Sequence, residues 1–260
     1  MRLGLISALH QEQAGLVDGM LDRQTATRGM RDYFRGRLWG LETICVLSRL
    51  GKVAAAATAA TLIERFDVTH IVFTGVAGGA DPVVKVGDIV VAEQLVQHDM
   101  DCSPLFPRFE IPLTGLSHFS SDLALTNRLA AAAENFLATS FKKVVNAEDR
   151  STFKLASPRV HRGLIASGDA FISSRVQLER LQQSLPGLLA VEMEGAAVAQ
   201  VCFEFGIPFA VIRTVSDGAN EESAIDFTQF VERVASGYAF GIIEAFCKPG
   251  VAVPQVRSGN

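Results

Sequence analysis

The chain has 260 residues, 48% of them hydrophobic and 20% charged, with a formal net charge of −4. That mix fits one sizeable globular domain with ample core. No Lys/Arg run reaches nucleic-acid-binding density and no apolar run approaches transmembrane length, so neither nucleic acid nor membrane is expected as a partner.

Leu3–Ser7 is a short apolar run that reads as a buried strand. Ala8–Gln13 follows, carrying His10 and Glu12; an acid there also suits the first turn of a helix. The opening apolar stretch is too short for a signal peptide. Tyr33–Leu38 and Thr43–Ser48 read as an antiparallel pair around Trp39-Gly40. Gly51-Lys52 opens an alanine-rich helix, Val53–Phe66, and Ile71–Phe73 is the next strand. A glycine-rich loop, Thr74 to Pro82, is expected to leave that strand and let backbone N–H groups approach a ligand. It matches neither the dinucleotide fingerprint nor the P-loop. After a turn at Val83–Gly87, Asp88–Glu93 is again a strand.

His98–Ser120 is irregular: Pro104, Pro107 and Pro112 break any regular element, and Phe106, Phe109 and Phe119 suggest that it covers a pocket or a subunit contact. Ser121–Ala138 reads as a helix capped by Ser121 or Asp122. Phe141–Pro158 is polar and ambiguous. Val160–Ser167 is a strand ending in Gly168-Asp169-Ala170-Phe171-Ile172, and Val176–Leu185 is a helix. Leu188–Val191 is a strand that runs into Glu192, Met193 and Glu194; a small-residue helix, Gly195 to about Phe205, follows. Phe209–Val215 then delivers Ser216 and Asp217. Carboxylates at two strand ends are not needed for packing, and such ends are where open α/β sheets bind ligands. A long helix, Phe227–Phe246, precedes a loose tail at 248–260. Residues 1–247 are therefore expected to form a single domain. Alternating strands and helices argue for a layered α/β fold, and the Trp39 hairpin for a mixed sheet. The widely spaced Cys45, Cys102, Cys202 and Cys247 form no metal-binding pattern with the histidines. A soluble, cytoplasmic protein is expected.

Several segments carry a family pattern: Gly4-Leu5-Ile6-Ser7-Ala8 with Glu12, Gly51-Lys52-Val53-Ala54-Ala55, Thr74-Gly75 through Gly78-Gly79 with Val86-Gly87-Asp88, Ser167 to Ile172, Val191-Glu192-Met193-Glu194, and Val215-Ser216-Asp217. Together, in this order and spacing, they resemble the 5'-methylthioadenosine/S-adenosylhomocysteine nucleosidases of the nucleoside phosphorylase superfamily. The resemblance implies a three-layer α/β/α fold around a twisted mixed β-sheet and a homodimer. It also implies hydrolysis of the N-glycosidic bond of a 5'-substituted adenosine, without metal or organic cofactor. Carried over residue by residue, it makes Asp217 the acid that protonates purine N7, with Ser216 orienting it. Glu12 becomes the base that activates water, with Arg213 near that water. Glu194 accepts the ribose hydroxyls, Met193 packs on the sugar, and Glu192 stands beside them. Phe171 and Ile172 form the purine wall, Val76, Ala77 and Gly78 lie at the glycine-rich segment, and Leu50 and Phe227 line the 5'-substituent pocket. Val76 departs from the family's usual small hydroxyl residue, and the 100–120 loop departs from its usual pattern. Two rivals stay open. One is a phosphate-dependent phosphorylase, although Phe73 and Val76 stand where that class carries arginine and serine. The other is a purine-nucleoside-binding protein without turnover.

Overall fold

Period-two apolar runs and longer runs at helical spacing sort this chain into a sheet between helical layers. The computed structural model describes residues 1–13 and 15–248. Strand β1 (Leu3–Ser7) leads into a short helix α1 (His10–Gln13), then β2 (Leu21–Arg28), β3 (Arg31–Leu38) and β4 (Leu41–Leu47). Helix α2 (Lys52–Phe66) crosses to β5 (His70–Gly79) and β6 (Ile89–Gln97). Beyond a long loop come β7 (His118–Ser120), α3 (Leu123–Thr139), α4 (Phe141–Val144) and α5 (Ala147–Thr152). The sheet is completed by β8 (Val160–Ser167), β9 (Leu188–Glu192) and β10 (Phe209–Asp217), with α6 (Arg175–Ser184) and α7 (Gly195–Phe205) between them. The chain closes with α8 (Ser223–Phe230), a π-helical turn at Val231–Ala235, and α9 (Ser236–Cys247).

The strand order is β10-β6-β8-β9-β5-β1-β4-β3-β2, and β10 also pairs with β5. Strands β5, β10, β6, β8 and β9 therefore close on themselves, while β1, β4, β3 and β2 extend from β5 as an open wing. Parallel and antiparallel pairs are mixed, as expected. Alternation along each strand feeds two cores. Leu3 and Leu5 of β1 pack with α3 and α9 residues such as Leu129 and Ile242, whereas Ile6 packs with Ala55 of α2 and Val198 of α7. These are the outer layers of a three-layer α/β/α fold. Among the described residues, no helix is long and apolar enough to cross a membrane.

Asp122 caps α3, its carboxylate accepting the Leu125 N–H at 2.8 Å. The hairpin turns at Trp39-Gly40, with Leu38 opposite Leu41. Cys45 and Cys202 are buried free thiols. Other expectations need correction. The glycine-rich segment is not a loop from Thr74: β5 runs on to Gly79, because Thr74–Gly78 pairs with β10 and Gly78–Gly79 with β9. Ladder bonds to β10, joined at Gly78 by those to β9, outweigh the low strand preference of glycine. Strand β6 likewise runs to Gln97 rather than Glu93. The long C-terminal helix begins at Ser223 and contains the π turn, an insertion that helical spacing alone does not reveal. Strand β2 has no counterpart in the sequence reading: its polar, largely exposed residues form an edge strand without an apolar face. The expected tail, beyond Lys248, lies outside the described residues.

Candidate active site

Strand ends bring distant parts of the chain to one cavity of about 290 Å³. The exits of β1, β4, β8, β9 and β10 supply Glu12, Leu50, Phe171 with Ile172, Met193 with Glu194, and Asp217. The end of β5 adds Val76, Ala77 and Gly78, α8 adds Phe227, and Glu192 also lines the wall. Of the expected site residues, only Arg213 and Ser216 are not part of the lining. Ala8, Leu9, Ala170 and Val191 line it too, and sequence reading did not single them out as site residues. Each is a plain apolar side chain beside a functional one, so only adjacency could have flagged it.

Glu12 is buried and held by three backbone donors: Ala8 N at 2.8 Å and Leu9 N at 2.9 Å on one oxygen, Val76 N at 3.0 Å on the other. Glycine at 75 leaves room for this carboxylate: a Cβ there would stand 3.0 Å from Glu12 Oε1. Burial pushes the Glu12 pKa up, while the Leu9, Ala8 and Val76 N–H groups and the nearby Arg213 pull against it. Val76 serves through its backbone, so the missing side-chain hydroxyl does not disturb this contact.

Asp217 ends β10 and is also buried. Its Oδ2 accepts from Ser216 Oγ at 2.8 Å and its Oδ1 from Ala219 N at 2.9 Å. Desolvation raises its pKa above the ordinary 3.8, against the pull of Ser223, Ser216 and the Ala219 N–H. An acid that holds its proton is what protonation of a leaving group requires.

The two glutamates after β9 divide the work. Glu192 turns to the fold: Gly195 N donates to it at 2.8 Å, Ser167 Oγ and Glu194 N also donate, and Arg213 Nη2 pairs with it at 2.6 Å. It thus caps the positive end of α7. Arg213 is fully buried, lies 4.1 Å over the Phe73 ring, and spends further donors on the Phe73 and Ile212 carbonyls. Glu194 faces the cavity, its carboxylate tied among the described residues only by the Gly51 N–H at 2.8 Å. Burial, and then the neighbouring Glu192, push its pKa up to about 8. Phe171 meets Phe227 edge to face with centroids 5.7 Å apart. Phe171 is 42% exposed and Leu50 56%, so both stand at the mouth. Among the described residues, no cluster of three or more His, Cys, Asp or Glu has a metal-binding arrangement.

A stability consequence follows for Glu194. Between its ordinary 4.5 and about 8, the folded chain keeps a proton that the unfolded chain has released. Stability contributed by this group therefore falls as pH rises through that window. Glu194→Gln is expected to gain in melting temperature relative to the parent from pH 5 to pH 9. Parallel curves for the two proteins would show that Glu194 does not titrate there.

Residues 2–248 match the family model described as the phosphorylase superfamily. The 5'-methylthioadenosine/S-adenosylhomocysteine nucleosidase of Shewanella frigidimarina is 32% identical, covering 94% of this chain and 97% of its own. That of Marinomonas sp. is 34% identical, with 90% and 93% covered. The crystal structure of the Neisseria meningitidis enzyme in complex with methylthio-immucillin-A superposes with a TM-score of 0.82 at 30% identity, covering 94% of this chain and 97% of that one. By sequence and by fold, the chain belongs to the 5'-methylthioadenosine/S-adenosylhomocysteine nucleosidase family of the phosphorylase superfamily.

Proposed function

We propose that the protein hydrolyses the N-glycosidic bond of 5'-substituted adenosines, 5'-methylthioadenosine and S-adenosylhomocysteine among them, and releases adenine. One observation carries the choice of hydrolysis over phosphorolysis. Glu12, Glu192, Glu194 and Asp217 all line the cavity, and no lysine or arginine does among the described residues. A phosphate dianion would meet four acidic side chains there and no cationic one. Arg213, the nearest candidate to hold it, is committed to Glu192 and two carbonyls. Anion binding needs free cationic donors, and water does not.

The residues then fall into roles. Asp217 gives its proton to purine N7 as the C1'–N9 bond breaks, and the bonding electrons leave with the base. Positive charge develops on the ribose, as in other glycoside cleavages. Glu194 holds the 2'- and 3'-hydroxyls, and the cation developing beside it favours its ionised form, which stabilises that charge in turn. Glu12 takes a proton from water as its oxygen bonds to C1'. Adenine and the 5-substituted ribose are the products. Phe171 and Ile172 flank the purine, Met193 the sugar, and Leu50, Phe227 and Leu9 the 5'-substituent. Arg213 acts from behind the wall, its charge favouring the ionised forms of Glu12 and Glu194.

Adenine release is expected at the same rate with and without phosphate, measured by chromatography of the free base. Strict dependence on phosphate would transfer the protein to the phosphorylases. Adenosine-analogue binding with no release of base would leave a binding protein. We further infer a homodimer. Val53, Leu105 and Leu113 are each more than four-fifths exposed, large apolar side chains that a second copy would cover. Light scattering giving the mass of one chain would remove that inference.

A further inference from the structure

Behind the ribose and purine walls, a ring of polar contacts joins three segments, and the reaction above does not use it. Lys52 begins α2 directly after Gly51, whose N–H holds Glu194. Its Nζ donates to Asp99 Oδ1 at 2.6 Å and to Gln97 Oε1 at 3.1 Å. The other Asp99 oxygen accepts the Asp169 N–H at 2.9 Å. Asp169 closes the ring, its Oδ1 accepting the Lys52 N–H at 2.7 Å. The turn after β4, the end of β6 and the exit of β8 therefore meet at one point. From Gln97 the contacts continue to Gln200 of α7 at 2.7 Å.

The Lys52 and Asp99 side chains are 16% and 30% exposed, and an ion pair that still reaches solvent contributes modestly to fold stability. The geometry is tight. Burial would raise the Asp99 carboxyl, but Lys52 and the Asp169 N–H outweigh it and hold it below its ordinary range. Gly51 has φ +93°, and a Cβ there would stand 3.1 Å from Asp169 Oδ1, so a side chain would be strained in backbone and crowded against the ring. The ring also ends where the site begins. Asp169 lies two residues before Phe171, whose ring is half-exposed and meets Phe227 edge to face.

We propose that Lys52 and Asp99 are positioning residues for this enzyme: with Asp169 they clasp the Ala170–Ile172 wall to the turn at Gly51, setting the purine wall and the Gly51 contact to Glu194 in one register. The proposal rests on the reading of Phe171 and Ile172 as the purine wall. In Asp99→Asn the amide must turn its NH₂ toward either the Lys52 ammonium or the Asp169 N–H. Both are donors, so one contact is lost and the clasp opens.

The test is adenine affinity by calorimetry, with kcat and KM for 5'-methylthioadenosine, in the full chain. Asp99→Asn and Lys52→Met are each expected to raise the adenine Kd and the substrate KM together by about tenfold, the loss of one charged hydrogen bond, with a smaller change in kcat. Lys52→Arg keeps the cation and recovers most of that affinity. The double variant is expected to be no weaker than the worse single one, because either change opens the same ring. Melting temperatures should stay close to that of the parent. Unchanged adenine affinity in Asp99→Asn, or single losses that multiply in the double variant, would overturn the proposal. If Asp99→Asn fails to fold, the comparison of Lys52→Met with Lys52→Arg carries the same test, and equal affinities overturn it. An unaltered chain that binds no adenine would overturn the purine-wall reading and the clasp with it. That result is distinguishable from a parent and an Asp99→Asn variant that bind equally well.

Discussion

Asp217→Asn is expected to lower kcat for adenine release by roughly 10²- to 10⁴-fold, the usual contribution of a positioned general acid, while adenine still binds. The substitution is nearly isosteric, and the site can absorb it. Oδ1 continues to accept the Ala219 N–H, and the new NH₂ faces Ser216 Oγ, a hydroxyl able to accept as well as donate. What is lost is the transferable proton. The pH profile supplies a second signature. Asp217 is raised by burial, so the parent loses kcat/KM at high pH as this proton leaves. The variant should lack that limb. Stopped turnover together with lost adenine binding would point to a collapsed site. Full turnover would remove Asp217 from the mechanism.

Glu12→Gln is expected to reduce kcat by a similar factor, roughly 10²- to 10⁴-fold, but with a structural cost that Asp217→Asn avoids. The Glu12 carboxylate accepts from Ala8 and Leu9 on one oxygen and from Val76 on the other. Glutamine has one acceptor oxygen, so one set of buried N–H groups is left facing an NH₂. A donor left so costs about 1–3 kcal/mol. A drop of several degrees in melting temperature should therefore accompany the loss of rate, with KM little changed. In the parent, protonation of Glu12 should shut down kcat/KM on the acid side. Burial places that limb above the ordinary carboxylate range. Retained kcat in Glu12→Gln would mean that another group activates the water.

Much of this site is legible in the linear chain, and for a local reason. A strand that runs into a loop or helix start frees the side chains at the junction from packing within the sheet. Val191-Glu192-Met193-Glu194 and Ser216-Asp217 therefore announce polar groups at strand ends. What separates Glu192 from Glu194 is not local. Glu192 is the acid that finds Arg213, Ser167 and the first N–H groups of α7, and Glu194 is the one left facing the cavity. Either carboxylate has the chemistry for either role. The β5 extension is similar: glycines read as a loop until β10, and then β9, supply ladder partners. The Lys52–Asp99–Asp169 ring joins residues far apart in sequence, and nothing local to any one of them marks the contact.

By itself, then, the sequence determined the layered α/β class, the alternation that feeds two cores, and the types of acid available at each strand end. Those features rest on backbone periodicity and on residue chemistry, which are properties of short stretches. Only the tertiary structure decided which carboxylate is neutralised by Arg213, which ones are desolvated and so raised in pKa, and which loops are tied together behind the cavity. Such outcomes depend on dielectric and on distance between remote segments, and both exist only once the sheet has closed.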